Sequence, residues 1–186
     1  MQFYAIALVP GGNILGQLSV IKSRARAIAG SPDGLALPEG MYIGFFEVPA
    51  PGSKKELVRL FKTEAQGLFA GLPLSLRFGT AQYIGESAYL APLEKFPRDP
   101  VQNALQFAGK AGLKKLENTP IQLGIGFFMG NHVTLDPVDA FSFSNMQALL
   151  LEIHSPSLTW DSAAWRLLCK QARKRRSMAG GRESLG

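Results

Sequence analysis

The tetrapeptide Ile43-Gly44-Phe45-Phe46 recurs as Ile125-Gly126-Phe127-Phe128, 82 positions further along a chain of 186 residues. Each copy lies in an apolar segment of strand length, and each follows a stretch with helical periodicity. A strand repeated in the same helix-then-strand setting constrains the chain to two related halves, each of which must bury an apolar face. The expectation is a duplicated, two-lobed domain with one copy of the repeat strand in each lobe.

The segments around the copies fill in the order of elements. Phe3 to Leu8 is an apolar run that ends at Pro10-Gly11-Gly12, the pattern of a buried strand running into a turn. Asn13 is a good N-cap, and Ile14, Leu18, Ile21, Ala25 and Ile28 then recur at helical spacing until Gly30 and Pro32. The first repeat copy follows, over residues 41–48. Ser53-Lys-Lys-Glu56 matches a capping box, in which the serine hydroxyl and the glutamate carboxylate each satisfy a free N–H at a helix start. Leu57, Leu60, Phe61 and Leu68 mark the face of that helix, which Gly71 and Pro73 end.

Strands are expected at Leu74–Phe78, which alternates, and at Ser87–Ala91. Asp99-Pro100 has the form of an N-cap followed by proline at the first helical position, leading into a helix that extends towards Leu116. The second repeat copy comes next, Gln147–Ile153 is a strong late strand, and 158–168 is expected to be a short strand and turn that passes into a helix. The order β-α-β-α-β-β-α-β-β is that of an α+β protein, with antiparallel sheets around a central cleft and helices outside.

Composition narrows the class. With 46% hydrophobic and 18% charged residues and no apolar run near the roughly 18 residues that span a bilayer, no membrane anchor is expected. No basic residue precedes the opening apolar run, so a signal peptide is not expected either, and the expectation is a cytoplasmic monomer. Cys169 is the sole cysteine and sits among Trp165, Leu167 and Leu168 as a buried one would; an internal disulfide and a thiolate cluster are excluded. The net charge of +6 divides unevenly: residues 170–186 carry +5 and residues 1–169 only +1. The sequence thus divides into a bilobal domain, 1–169, and a flexible basic tail, 170–186, able to touch phosphates non-specifically.

The opening Phe3-Tyr-Ala-Ile-Ala-Leu8 strand, Leu37-Pro-Glu-Gly-Met-Tyr-Ile-Gly-Phe-Phe46, Leu74-Ser-Leu-Arg-Phe-Gly79 and Leu149-Leu-Leu-Glu-Ile153 followed by Ser155 together resemble the two-histidine phosphoesterase superfamily. This group contains the 2′–5′ RNA ligase-like proteins and RNA 2′,3′-cyclic phosphodiesterases. The resemblance implies two pseudo-symmetric lobes, each placing a His-x-Thr/Ser motif on a central strand that faces a shared cleft. It also implies RNA or a nucleotide as ligand, with no metal and no cofactor.

The motifs themselves depart from that pattern. Aligned on the strands, the first becomes Tyr42-Ile43-Gly44 and the second Gly124-Ile125-Gly126. In the family one imidazole takes a proton from the attacking hydroxyl while the other protonates the leaving oxygen. Tyrosine, with an ordinary pKa of about 10, is a poor base at neutral pH. A competing alignment places the second motif at His132-Val133-Thr134, with Tyr42 as its counterpart, which supplies one histidine of the two. His154 fits neither position.

Gly44, Gly124 and Gly126 are candidate ligand-binding positions where backbone comes close to a phosphate, or else they make room for the neighbouring phenylalanines. Arg77 faces the cleft if Leu74, Leu76 and Phe78 point into the core, since neighbours on a strand alternate. Three readings stay open: a non-catalytic or weakly catalytic protein binding RNA ends or nucleotide phosphates; an active phosphodiesterase or ligase using His132, Thr134 and Tyr42; and a structural or protein-interaction module with a filled cleft.

Overall fold

The structure is a computed structural model, and it describes residues 2–10, 16–20, 23, 27, 40–48, 52–73, 76–84, 87–93, 95–116, 122–123, 141–143, 145–154 and 164–174. Residues 16–20 are helical, within the first helix expected from the sequence. The other elements, in chain order, are β1 (Gln2–Pro10), β2 (Met41–Glu47), α1 (Lys54–Glu64), a 3₁₀ turn (Ala65–Phe69), β3 (Leu76–Ile84), β4 (Ser87–Pro92) and α2 (Asp99–Lys110). Five strands complete the set: β5 (Lys114–Lys115), β6 (Gln122–Leu123), β7 (Phe141–Phe143), β8 (Met146–His154) and β9 (Ala164–Ala172).

The protein is α+β, as its element order implied. Its strands pair antiparallel in the path β7-β3-β4-β6-β2-β1-β8-β9, with β5 also beside β2. The two halves of this path meet at β6, where Leu123 pairs with both Met41 of β2 and Leu90 of β4. The strand carrying the first repeat copy is therefore interior, flanked by β1 on one side and by β5 and β6 on the other.

β1 is an uninterrupted apolar run because both its faces are covered; Ala5, Ile6, Ala7 and Leu8 have no exposed surface. Its even residues Tyr4, Ile6 and Leu8 join Met41, Ile43 and Phe46 in a core against α1 and α2. There Phe61 of α1 meets Phe107 of α2 edge-on, ring centroids 5.5 Å apart. Its odd residues Phe3, Ala5, Ala7 and Val9 join Tyr42, Phe45, Leu149, Leu151 and Ile153 in a second cluster formed on the opposite face. The alternation of a strand thus divides the interior into a helix-covered core and a strand-built one.

α1 begins as read, with the Ser53 hydroxyl accepting from the Glu56 N–H at 3.4 Å. α2 begins one residue earlier than expected. Arg98 occupies the N-cap without a side-chain capping hydrogen bond, and Asp99 takes the first helical position, where its carboxylate lies in the positive first turn. The same helix stops at Lys110, short of Leu116, because Gly112 at φ +68° closes a Schellman motif: Leu113 N–H donates to Ala108 O at 2.8 Å and Gly112 N–H to Gly109 O at 3.1 Å.

The chain after β8 also departs from expectation. Ala164–Ala172, towards which a helix was expected, is instead a strand that pairs with β8 from His154↔Ala164 to Gln147↔Ala172. The sheet runs past residue 169, where charge alone had set the start of the tail. Arg173 then donates to Leu72 O at 2.9 Å and Pro73 O at 3.0 Å, while Lys174 N–H donates to the Gln66 side chain at 3.1 Å, so both residues are held against the chain near the 3₁₀ turn.

Candidate functional site

Tyr42 and Gly44, two residues apart on one strand, ordinarily share a face. Here they do not. Tyr42 pairs with Ala7 and Gly44 with Ile6, so a bulge inserts Ile43 between two consecutive partners on β1. The shift leaves Tyr42 in the strand-built cluster and turns Gly44 towards the helix-covered core. The next residue on Tyr42's face is Phe45, and the two rings stack with centroids 5.2 Å apart and planes 15° from parallel. Tyr42 is 1% exposed, which shuts its hydroxyl off from solvent.

Gly44 serves packing. A Cβ there would overlap Cζ and Cε2 of Phe46, whose ring lies over the glycine. Of the two uses a strand glycine has, close approach of a ligand or room for a neighbouring side chain, the geometry shows the second.

Arg77 lies on β3 between two core residues. Leu76 and Phe78 are 1% and 0% exposed in the helix-covered core, and Arg77 between them is exposed on the other side. Its neighbour across β7 is Ser142. His132, Thr134, Gly124 and Gly126 lie outside the described residues, and so does the second repeat copy.

The sequence reading passed over a polar cluster on β8. Glu152 is 1% exposed among the apolar residues Leu149–Ile153 of its strand, and its Oε1 receives both Lys54 Nζ at 2.5 Å and His154 Nε2 at 3.3 Å. Burial pushes its carboxyl upward, but the hydrogen bond and charge of Lys54, joined by those of His154, hold it below the usual carboxylate range. A lone acid in the run Leu149-Leu-Leu-Glu-Ile153 was the available signal, since such a residue is seldom buried unpaired. The cluster ties the start of α1 to the sheet.

A pocket of about 390 Å³ opens on the helical side between the start of α1 and the end of α2, lined by residues including Tyr4, Ser53, Leu57, Arg59, Lys110 and Leu113. Tyr42 and Arg77 do not line it. Among the described residues, no group of three or more His, Cys, Asp or Glu is placed to hold a metal ion, and no helix is long and apolar enough to cross a membrane.

No family model and no curated protein matches the sequence. Solved structures do match. Escherichia coli LigT complexed with 3′-AMP superposes with a TM-score of 0.60 at 16% identity, over 94% of this chain and 99% of that one. A crystal structure described as a phosphoesterase gives 0.58 at 15% identity, over 94% of this chain and 100% of the other. LigT complexed with NADP+ gives 0.55 at 15%, over 94% and 98%. Near-complete coverage in both directions means that the arrangement of the whole chain is shared, and at this identity what it shows is the fold. The chain has the fold of LigT.

Proposed function

We propose that this protein is a non-catalytic or weakly catalytic member of the LigT-like phosphoesterase group that binds RNA ends or nucleotide phosphates. The observation that carries this reading is the bulge at Ile43. The resemblance would place the first catalytic histidine and its hydroxyl partner at positions 42 and 44, where both must meet one phosphate. In this chain those positions hold an enclosed tyrosine and a glycine on opposite faces of the strand. Neither supplies a general base at neutral pH. Nucleotide binding is supported by the shared fold with proteins crystallised with 3′-AMP and NADP+.

A second reading draws on the Tyr42–Phe45 stack. Aromatic rings that fill the strand-built face favour a structural or protein-interaction module whose cleft takes no ligand.

The test is twofold: titration of the protein with 3′-AMP, and hydrolysis of a 2′,3′-cyclic nucleotide by the parent chain and by His132→Ala. The proposal expects saturable binding and little or no turnover. Robust turnover abolished by His132→Ala would overturn it in favour of an enzyme built on His132, Thr134 and Tyr42. Absence of both binding and turnover would favour the filled-cleft module.

A further inference from the structure

β9 closes one end of the sheet path, and it is the one element on which two large apolar side chains of the described residues are exposed together. Trp165 is 45% and Leu167 44% exposed. The register places them on one face: Trp165 pairs with Ile153 and Leu167 with Leu151, both members of the strand-built cluster. Lys170, paired with Leu149, continues the same face beyond the bulge that absorbs Leu168. The stripe is thus Trp165, Leu167, Lys170, and it lies on the side of the sheet away from α1 and α2.

Its charge is of one sign. Residues 164–174 contain Arg166, Lys170, Arg173 and Lys174 and no acid, and Arg175 and Arg176 follow directly. Arg173 is engaged with Leu72 O and Pro73 O, whereas Arg166, Lys170 and Lys174 are exposed. The nearest acid across the pairing, Glu152 opposite Arg166, is buried on the other face and held by Lys54.

We propose that this edge is a docking track for single-stranded nucleic acid, with an unpaired base stacked on Trp165 and the backbone phosphates following Lys170 and Lys174. An exposed indole among cations matches that ligand: the ring offers a stacking platform to any base, and the ammonium groups take up phosphate charge. A paired base keeps its π-faces inside the helix, so a duplex does not use the indole. Nine residues of strand and its extension, at about 3.3 Å each, give a track of roughly 30 Å, room for several nucleotides. The proposal deepens the nucleotide-binding reading above and rests on it for biological sense, but its site is separate from Tyr42.

The experiment is fluorescence anisotropy of an end-labelled ten-nucleotide oligouridine across a salt series, with 3′-AMP titrated separately. Trp165→Ala is expected to weaken oligonucleotide binding by about tenfold or more, and Trp165→Phe to restore most of it. Lys170→Gln with Lys174→Gln is expected to flatten the slope of log K against log salt by about 1.4, since each phosphate contact to a single strand contributes about 0.7. Binding of 3′-AMP is expected to survive all of these changes. Oligonucleotide binding that is unchanged in Trp165→Ala but lost in Arg175→Gln/Arg176→Gln would overturn the track and assign binding to the tail. Loss of a Trp165-dependent dimer with unchanged oligonucleotide affinity would likewise overturn it and make the stripe a self-association surface. Failure of 3′-AMP to bind while the Trp165 effect holds would count against the nucleotide-end reading alone.

Discussion

On its helix-covered face the central sheet carries Ile6, Leu8, Met41 and Phe46 against the aromatic pair Phe61 and Phe107; on the other face it carries Ala5, Ala7, Tyr42 and Phe45, clustered with Leu149, Leu151 and Ile153 from another strand. The first face is sealed by elements whose ends are fixed by caps and a Schellman motif. The second ends at β9 in a tryptophan and a leucine open to solvent. Both are apolar, so hydrophobicity does not distinguish them. What differs is the edge: both faces are buried around β1, but the second runs on to β9, where two of its apolar side chains reach solvent.

The bulge at Ile43 is the hinge of this difference, and a double-mutant cycle tests it. Phe46→Ala removes a fully buried ring and is expected to cost about 3–5 kcal/mol by denaturant unfolding. Gly44→Ala alone is expected to cost about 1–3 kcal/mol, because its methyl group would overlap that ring. Combined, the two should cost less than their sum by about 1 kcal/mol or more, since the ring that obstructs the methyl is gone. Strict additivity would mean that Gly44 does not owe its identity to Phe46.

The polar anchor of the helix-covered face gives the next effect. Lys54→Met removes a charged partner from the buried Glu152, and a loss of about 1–3 kcal/mol is expected at neutral pH, at the low end because Lys54 is half exposed. The pH dependence follows from the direction of the shift. A carboxyl whose folded-state pKa is lowered contributes stability above its unfolded value of about 4.3, and that contribution disappears as pH falls through the folded value. Denaturation of the parent and of Glu152→Gln between pH 7 and 3 should therefore converge in acid. A gap that persists or widens below pH 4 would show that the charge of Glu152 is not what matters.

Much of this frame was legible in the sequence. Ser53 announced the start of α1, the unbroken apolar run of β1 announced a strand covered on both faces, and the alternation around Arg77 placed it outside the core. Three features were not legible, each for a physical reason. The bulge at Ile43 leaves no mark in composition, because it is set by the register against β1, a contact between residues far apart in the chain. Glu152 looked like an ordinary strand residue until its partner Lys54 arrived from nearly a hundred positions away. The strand Ala164–Ala172 was hidden by its own surface role, since an edge strand with Trp165, Arg166 and Lys170 lacks the buried run that identified β1 and β8. The site candidates divide similarly: positions 42, 44 and 77 find definite places, while the motif around His132 lies in residues 124–140, outside the described residues.

At the turn that follows the 3₁₀ segment and precedes β3, Gly71 holds φ +68°, and the Oδ2 of Asp99 lies 2.7 Å from where a Cβ would stand. Gly71→Ala is expected to cost about 1–2 kcal/mol from the left-handed backbone, with the carboxylate able to swing aside. The companion change Asp99→Ala would relieve the contact and leave the backbone cost, so the pair should be close to additive. Strong coupling between them would instead place the contact, and not the backbone, at the origin of the loss.

The smallest expected effect is the one that separates the two faces most sharply. Trp165→Ala, nearly half exposed at the sheet edge, should change unfolding free energy by no more than about 0.5 kcal/mol, the range of ordinary surface substitutions. An interior tryptophan would cost about 3–5 kcal/mol. A bulky aromatic whose removal leaves the fold intact contributes little to holding the sheet together, so its effect on oligonucleotide affinity can be measured without interference from unfolding. If thermal or denaturant unfolding instead shows a loss of several kcal/mol, the indole belongs to the strand-built core, and the distinction between a sealed face and an open one fails at β9.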